Sequence, residues 1–299
     1  MSNIFYECLG YNDQKIINKP LFFYHIPKCA GTTFSVILSH LFKTPYRING
    51  PLFHNNSKGG KTGYKHFLDK KEFIINGKLD FVYGHIPFEV HKEFKKKYFF
   101  ITILRDPVER CISQYLWMIA RGYCSGNEHI SKVFERNKLP KNAIVNQFSG
   151  KGFSEYNSQD SIDLAFLNLK ESIDMVYDQK NFLEALNLII SIYNFPNVFF
   201  QKQQENMKKT ELKKEIIEII IENNSQDIKL YSKLKKEGIF KKFNKKPKYN
   251  RNYNLYLYSS PNILIKDKKT TILNNNEYVV IKNKLEDKGF IIKWKKLFG

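Results

Sequence analysis

Long apolar runs are absent from this chain of 299 residues. A membrane-spanning helix needs roughly 20 consecutive apolar residues, and the sequence contains no such run. The first residues also lack the basic start and the apolar stretch of a secretory signal peptide. We therefore expect a cytoplasmic protein without a membrane span.

Cysteine is scarce as well, with 4 residues in the whole chain. Cys8, Cys29, Cys111 and Cys124 do not have the spacing of metal ligands. Cysteines of this kind are typical of free thiols in a reducing compartment. We expect no bound metal.

Arginine is also rare, because only 6 of the 49 basic residues are arginine. The formal net charge is nevertheless +20, and Lys, Asn and Ile are abundant along the whole chain. An AT-rich genome produces this pattern without any polyanionic partner, so we expect solvated lysines and no bound nucleic acid. The positive field would still concentrate an anionic ligand near a binding site.

Two short segments carry most of the functional information. The first, residues 22–33, has the pattern of a buried strand, a turn and the start of a helix. Lys28 and Gly31 lie in the turn, and Thr32 and Thr33 follow at the predicted first helical turn. Glycine lets the backbone approach a ligand, and the lysine adds a point charge where the helix dipole already favours an anion.

The second segment, residues 100–115, has the same strand–turn–helix pattern. Asp106 is a good N-cap and Pro107 suits the first helical position. Arg105 then lies at the end of the strand and Ser113 nearly two turns into the helix, so both could contact one phosphate. Two anion sites on one sheet suit a ligand with phosphates at both ends.

The nearest nucleotide-binding motif is the P-loop, Gly-x-x-x-x-Gly-Lys-Ser/Thr, and the chain does not match it. Lys28 precedes Gly31 by three residues, and no Gly-Lys-Ser/Thr triplet follows. A P-loop-like nucleotide kinase, which would need Mg²⁺, stays an alternative. A non-enzymatic polyanion-binding protein is a second alternative, based on charge alone.

The two segments resemble the cofactor motifs of the sulfotransferases. The similarity is to the Golgi-type carbohydrate branch, which includes heparan sulfate 2-O-sulfotransferase and the chondroitin and HNK-1 sulfotransferases. Residues 25–33 resemble its motif His-x-Pro-Lys-x-x-Gly-Ser/Thr-Thr, and residues 105–115 resemble Arg-Asp-Pro-x-x-Arg-x-x-Ser-x-Tyr/Phe. Weaker similarities lie at residues 81–88, 142–150 and 224–234, so the resemblance covers residues 20–240.

The resemblance implies a co-substrate, 3′-phosphoadenosine-5′-phosphosulfate (PAPS), an acceptor that is a carbohydrate or glycan, and no metal. It assigns the 5′-phosphosulfate to Lys28, Cys29, Ala30, Gly31, Thr32 and Thr33. It assigns the 3′-phosphate to Arg105 and Ser113. The Golgi members of this branch carry an N-terminal membrane anchor, and the lack of an apolar run near the first strand therefore favours a bacterial or viral origin. The oligomeric state is not predicted.

Sulfuryl transfer needs a cation at the leaving oxygen and a base for the acceptor hydroxyl. Lys28 can supply the cation. His85 follows a predicted strand, and in the resembled enzymes the matching histidine is the base. With the ordinary histidine pKa near 6.5, it would be largely deprotonated at pH 7 and would gain a proton as the pH falls through that value. Glu89, one helical turn further on, is the alternative base, and a structural turn histidine is the alternative interpretation of His85.

Several of these side chains have structural alternatives. Arg105 could form a salt bridge with a neighbouring carboxylate instead of binding phosphate. Arg110 is predicted to be structural and to bridge carboxylates. His25 could be catalytic, but a histidine at a buried strand end is more often a satisfied polar group, and we predict that role for it. For Cys29 we predict a small buried residue that fills the loop, since no histidine partner is implied.

The predicted architecture is α/β, with a mostly parallel central sheet flanked by helices, as in the P-loop-like sulfotransferase fold. Strands are predicted near 21–26, 80–84, 98–104, 174–177 and 197–200. Helices are predicted near 32–43, 67–75, 107–121, 128–137, 162–171, 179–193, 209–222 and 225–237. Residues 44–66 are predicted to be a long loop near the acceptor site. We assign residues 1–240 to the sulfotransferase domain and 241–299 to a C-terminal extension with a helix near 276–288.

Overall fold

The computed structural model describes residues 5–8, 16–49, 63–94, 98–126, 128–136, 138–150, 159–195, 198–201, 212–241, 255–258 and 271–273. The strands in these ranges are β1 (Phe5–Cys8), β2 (Leu21–Tyr24), β3 (Pro45–Ile48), β4 (Phe81–Gly84), β5 (Phe99–Leu104), β6 (Met175–Asp178), β7 (Val198–Gln201), β8 (Leu255–Tyr258) and β9 (Thr271–Leu273). The α-helices are α1 (Gly31–Leu41), α2 (Gly63–Asp69), α3 (Lys71–Asn76), α4 (His91–Phe94), α5 (Pro107–Ala120), α6 (Ile130–Glu135), α7 (Ala143–Phe148), α8 (Gln159–Glu171), α9 (Phe182–Ile192), α10 (Lys214–Asn223) and α11 (Ser225–Lys236). Short 3₁₀ turns cover Phe88–Val90 and Gln179–Asn181.

Five strands form the central sheet, in the order β3-β4-β2-β5-β6, and every pair is parallel. The two inner strands β2 and β5 are buried along their whole length, which explains their unbroken apolar sequences. The chain builds one half of the sheet with β2, β3 and β4 and then crosses to β5 and β6. Ligands of such sheets bind at the carboxyl ends of the strands, where the two halves meet. That point lies between β2 and β5.

Alternating residues of β2 face two separate cores. Phe22 and Tyr24 pack in one cluster with side chains of α7, α8 and α11. Leu21 and Phe23 pack in the other with side chains of α1 and α9. Burying one such large apolar side chain stabilises the fold by about 1.5–3 kcal/mol, so both faces of β2 hold the sheet in place.

A second sheet has the order β1-β7-β8-β9. Its β7 is the strand that the sequence predicts near 197–200, and it pairs with β1 rather than with the central sheet. The strands β8 and β9 come from the predicted C-terminal extension, and β8 runs parallel to β7. Residues on both sides of the predicted boundary at 240 thus share one sheet.

The predicted parallel α/β architecture is confirmed, but the region before β4 differs from its prediction, and α7, β1, β8 and β9 were not predicted. The predicted loop 44–66 contains the edge strand β3 and the start of α2, while residues 50–62 lie outside the described ranges. Proline opens β3, and proline is tolerated at the first residue of an edge strand, so this strand carries little sequence signal. The predicted helix at 67–75 is two short helices, α2 and α3. The predicted helix near 276–288 lies outside the described residues.

None of the helices in the described ranges is both long enough and apolar enough to span a bilayer.

Candidate active site

The first strand–helix junction, which is the turn between β2 and α1, has an unusual backbone. Lys28 and Ala30 have φ angles of 68° and 61°, in the left-handed region that residues other than glycine rarely adopt. Helix α1 begins directly after Ala30, and no side chain caps it. Left-handed residues of this kind cost about 1–2 kcal/mol each and cluster at ligand-binding loops. The turn therefore presents an uncapped helix N-terminus, the kind of backbone that binds anions.

Glycine is required at position 31 because the ring of His25 lies against it, a contact that the sequence did not predict. A Cβ atom at this position would overlap the imidazole ring of His25. The ring of His25 thus lies directly on the first residue of α1, and it also stacks on Phe23 with 5.5 Å between the ring centroids. Only glycine lets the helix begin this close to the histidine.

Lys28 lies among cations. Partial burial lowers the pKa of Lys28, and the positive charges of Arg105 and Arg121 lower it further. Its Nζ atom lies 5.6 Å from the centroid of the Trp117 ring. The turn after β2 and α5 therefore face each other. Their cations repel one another, and an anion bound between them would offset this repulsion.

At the second strand–helix junction, between β5 and α5, the side chain of Asp106 caps the helix, as predicted. Asp106 accepts hydrogen bonds from the N–H groups of Val108 and Glu109, each at 3.1 Å. Arg105, just before it, contacts Glu109 through Nε at 3.3 Å, which is the salt bridge that we weighed as its alternative role. Such a partly exposed pair contributes about 0.3–0.5 kcal/mol and leaves the other guanidinium N–H groups to bind a ligand. Ser113 lies partly buried in the second turn of α5.

Cys29 joins the two junctions. Its side chain is fully buried, and its sulfur accepts a hydrogen bond from the backbone N–H of Arg105. Burial raises the pKa of the Cys29 thiol to about 12, so the group stays neutral. A neutral buried thiol fills the space between the loops, in agreement with the predicted structural role of its side chain.

His85 lies directly beside the first junction, at the end of β4. Its Nδ1 atom is 2.7 Å from the carbonyl oxygen of His25, and the two imidazole centroids are 4.3 Å apart. A carbonyl oxygen can only accept, so Nδ1 carries the proton and the lone pair of the neutral ring is on Nε2. This hydrogen bond fixes the tautomer that a general base needs.

The pKa of His85 departs from the ordinary value near 6.5 that our sequence argument used. Burial lowers it to about 4, Arg47 adds a smaller lowering, and the hydrogen bond to His25 opposes both. Burial also lowers the pKa of His25, and the charges of His85, Arg47 and Lys28 add to the effect. Both imidazoles are therefore neutral at pH 7, and the expected titration near pH 6.5 is corrected to a lower pH.

The alternative base, Glu89, lines a separate surface cavity of about 280 Å³. Its carboxylate forms a hydrogen bond with Tyr64, whose pKa is raised first by burial and then by this carboxylate. Lys71 and Glu93 form an ion pair of 3.1 Å at the same cavity. The carboxylate of Glu89 is thus already engaged, whereas Nε2 of His85 is not used by the hydrogen bond to His25.

A buried polar network connects α5 to the start of α11. Arg110 is fully buried and donates to the amide oxygens of Gln114 at 2.9 Å and Asn224 at 3.3 Å. The predicted structural role is thus correct, but the partners are amides rather than the predicted carboxylates. Asp227 is a nearby carboxylate whose pKa burial raises and the charge of Arg110 lowers.

The weakly similar segments at 142–150 and 224–234 meet through reciprocal helix caps. Asp227 accepts hydrogen bonds from the N–H groups of Ile144 and Val145 at the start of α7. Asn142 accepts from the N–H groups of Gln226 and Asp227 at the start of α11. Each helix therefore supplies the cap of the other, which explains why asparagine and aspartate stand at these two positions.

Three side chains near Lys28 and His85 have no functional role in the sequence prediction. His25 is predicted to be a satisfied polar group, but it packs on both Gly31 and His85. Trp117 and Arg121 carry no prediction. They follow Ser113 at intervals of four residues and so share its face of α5, which is a signal that the sequence does contain.

The described ranges contain no group of three or more His, Cys, Asp or Glu side chains that could hold a metal ion. Lys28, Arg105 and Arg121 lie close enough at the carboxyl ends of β2 and β5 for their charges to interact, an arrangement that suits an anionic ligand on this α/β fold. A family model described as the sulfotransferase family matches residues 17–234. The match covers well over half of the chain, so this protein belongs to the sulfotransferase family. Membership supports sulfuryl transfer to an acceptor in general, and no curated protein matches the chain.

Proposed function

We propose that this chain transfers the sulfuryl group of PAPS to a hydroxyl group of a carbohydrate, with His85 as the general base. The observation that carries the proposal is the position of His85, which hydrogen-bonds the same loop that holds Lys28. This contact supports a role for His85 as the base beside the loop of Lys28, the proposed cation, and sulfuryl transfer needs both.

The donor side of the site suits a ligand with two anionic groups. The loop of Lys28 would hold the 5′-phosphosulfate with its lysine and with the uncapped N–H groups of α1. Arg105 and Ser113 would hold the 3′-phosphate with side chains, because Asp106 already uses the N–H groups at its own helix start. The backbone of Cys29, Ala30, Gly31, Thr32 and Thr33 belongs to the first of these two subsites.

The acceptor side would work through His85. Nε2 of the neutral ring takes the proton of the acceptor hydroxyl while the new bond from oxygen to sulfur forms and the bond from sulfur to the leaving oxygen breaks. Lys28 offsets the negative charge that develops on the leaving oxygen. An anion bound beside His85 would raise its pKa and so strengthen the base, against the lowering by burial.

The experiment is a ligand screen by thermal unfolding, followed by a transfer assay. The ligands are 3′-phosphoadenosine-5′-phosphate (PAP), Mg-ATP and duplex DNA, each tested alone. A ligand present at 100 times its dissociation constant stabilises the native state by about 2.7 kcal/mol. We expect this effect with PAP only. Radiolabelled PAPS and a panel of oligosaccharides then test for transfer of label to a sugar.

The outcomes separate the candidate functions. Stabilisation by Mg-ATP without PAP would favour a nucleotide kinase, and stabilisation by DNA alone would favour a polyanion-binding protein. Binding of PAP together with label on a non-carbohydrate acceptor would keep the sulfotransferase chemistry and refute the sugar acceptor. Label transfer that survives removal of His85 would leave Glu89 as the base to test.

A further inference from the structure

Among the residues that the structure describes, one imidazole of the candidate site is without a hydrogen-bond partner. The ring of His85 donates to the carbonyl oxygen of His25. The ring of His25 itself forms no hydrogen bond within the described ranges, although it packs against Phe23, Gly31 and His85. An unpaired imidazole keeps one donor and one acceptor for a ligand, and the mechanism proposed above uses neither of them.

The unpaired ring lies at the start of α1. A Cβ atom at Gly31 would overlap Cδ2 and Nε2 of His25, so these two ring atoms lie over the first residue of the helix. The N–H of Phe34 makes the first bond of the helix, and the N–H groups of residues 31–33 lie before it without a side-chain cap. Nε2 of His25 is therefore beside the open N–H groups of the first junction.

The ring of His25 contacts both sides of the proposed transfer. Its centroid is 4.3 Å from that of His85, the proposed base for the acceptor, and its Nε2 lies at the start of α1, the proposed place of the donor. In-line transfer puts the attacking and leaving oxygens on opposite sides of the sulfur. A sulfuryl group that passes from α1 towards His85 therefore passes along the ring of His25.

The charges around His25 favour an anion. Burial lowers the pKa of His25, and the charges of His85, Arg47 and Lys28 lower it further. The ring is therefore neutral at pH 7 and has one N–H group and one lone pair. A neutral donor adds no repulsion to the cations around it, and its hydrogen bond to a negatively charged oxygen is about twice as strong as one to a neutral oxygen.

We propose that His25 is a further catalytic residue, which donates Nε2–H to an oxygen of the sulfuryl group and thereby distinguishes the donor PAPS from the product PAP. PAP has no sulfuryl group, so it lacks this hydrogen bond and keeps only its phosphate contacts. The bond from sulfur to the leaving oxygen breaks, the bond to the acceptor oxygen forms, and the acceptor proton goes to His85, while His25 keeps its own proton. This inference rests on the function proposed above and adds a specificity-determining residue to it.

Calorimetric titration with PAP and with PAPS, both without an acceptor, gives a readout that does not depend on catalysis. The measured quantity is the preference for PAPS, which is the Kd of PAP divided by the Kd of PAPS. The amide nitrogen of His25→Gln reaches the position of Nε2, that of His25→Asn reaches the position of Nδ1, and His25→Leu removes both donors. His40→Leu is the control, because His40 is an exposed histidine in the last turn of the same helix α1.

We expect the native protein to bind PAPS at least about tenfold more tightly than PAP, the size of one hydrogen bond to a charged group. His25→Leu and His25→Asn should lose this preference while the Kd of PAP stays unchanged, and His25→Gln and His40→Leu should retain it. A structural role of His25 would affect both nucleotides alike, because they share their phosphates.

The outcomes separate this inference from the function on which it rests. A native protein that binds neither nucleotide would refute the proposed function. Equal native affinities for PAP and PAPS, or an unchanged preference in His25→Leu, would overturn the role of His25 and leave the proposed function intact. If His25→Leu does not fold, equal preferences of His25→Gln and His25→Asn would overturn that role as well.

Transfer rates distinguish a donor from a second base. His25→Leu should lower kcat about 10²–10³-fold, the effect of one lost donor to the transition state. His25→Gln should recover most of this loss, because an amide donates a hydrogen bond but does not take up a proton near pH 7. Equal losses of kcat in His25→Gln and His25→Leu would contradict the proposal. So would a shift in the pH dependence of kcat/KM with an unchanged preference for PAPS, which would show that His25 acts only through His85.

Discussion

The two strand–helix junctions look alike in sequence, but the structure completes them in opposite ways. After β5, Asp106 occupies the N–H groups of Val108 and Glu109. After β2, no side chain caps α1, and Ala30 and Lys28 hold left-handed backbone conformations. One helix start is closed by its own sequence, whereas the other is left open at a cost in backbone strain.

This difference indicates how each junction can bind an anion. An open helix start offers backbone N–H groups and the dipole, which act on any anion placed there. A closed start can offer only side chains, here Arg105 and Ser113. We therefore expect changes at the first junction to affect the reacting group and changes at the second to affect recognition of the ligand.

The largest expected effect concerns His85, which hydrogen-bonds the first junction. His85→Gln should reduce transfer about 10²–10⁴-fold, because acid–base catalysis by one side chain is of that size, and should leave PAP binding unchanged. The control is His129→Gln, which changes an exposed histidine that pairs with Glu215. Activity above about a tenth of the native value in His85→Gln would contradict the assignment and favour Glu89.

The pH profile of the native protein sharpens the same assignment. The pKa of His85 in the free protein is about 4, so kcat/KM should stay level down to pH 5 and fall as His85 takes up a proton near pH 4. The fall in kcat should lie at higher pH, because bound anions raise the pKa of His85. Neither fall should appear in the pH profile of the residual activity of His85→Gln. A fall of kcat/KM near pH 6.5 in the native protein would show that the histidine is not desolvated.

The second effect separates chemistry from binding at the first junction. Lys28→Ala should lower kcat by about 10²-fold or more, since a donor aimed at developing charge acts mainly in the transition state. The affinity for PAP should fall much less. Lys43→Ala changes an exposed lysine beyond the end of α1 and should leave both quantities unchanged. Lost PAP binding with near-native kcat at saturation would make Lys28 an anchor only.

The third effect concerns recognition at the second junction. We expect the native protein to bind PAP more tightly than 5′-AMP, and Arg105→Ala to reduce this preference by about 1.5–3 kcal/mol, the loss of one charged hydrogen-bond partner. Calorimetric titration with both nucleotides measures the preference. Glu109→Ala, which removes only the salt bridge to Arg105, should retain it. Equal native affinity for the two nucleotides would refute the 3′-phosphate assignment.

The smallest effect tests the closed and open starts directly. Asp106→Ala should lower the free energy of unfolding by about 1 kcal/mol, because the helix loses its cap. Ala30→Gly should not lower it, because release of left-handed strain offsets the added freedom of the unfolded chain. Urea unfolding measures both. Equal losses in the free energy of unfolding for the two variants would contradict the contrast between the capped start of α5 and the uncapped start of α1.

Much of the architecture could be predicted because it depends on local pattern. The apolar runs of β2 and β5, the cap at Asp106 and the turn at Pro27 and Lys28 are all visible in consecutive residues. The edge strand β3 could not be predicted, since it is short, begins with proline and alternates between exposed and partly buried residues.

The candidate site was predicted where motifs carry it and missed where the fold brings distant residues together. Lys28 and Arg105 are 77 positions apart, yet the charge of one affects the pKa of the other. The contact between His25 and His85 depends on the parallel pairing of β2 with β4, which no local pattern encodes.

The reciprocal caps of α7 and α11 also order events during synthesis of the protein. Gln147 on α7 donates to the carbonyl of Ile86, the residue next to His85, at 3.0 Å. The cap of α7 comes from Asp227, which a ribosome adds 142 residues after His85. A nascent chain that ends before Asp227 therefore lacks this cap, and with it the support of the segment that carries His85. The protein should acquire its activity late in translation, only after α11 has left the exit tunnel.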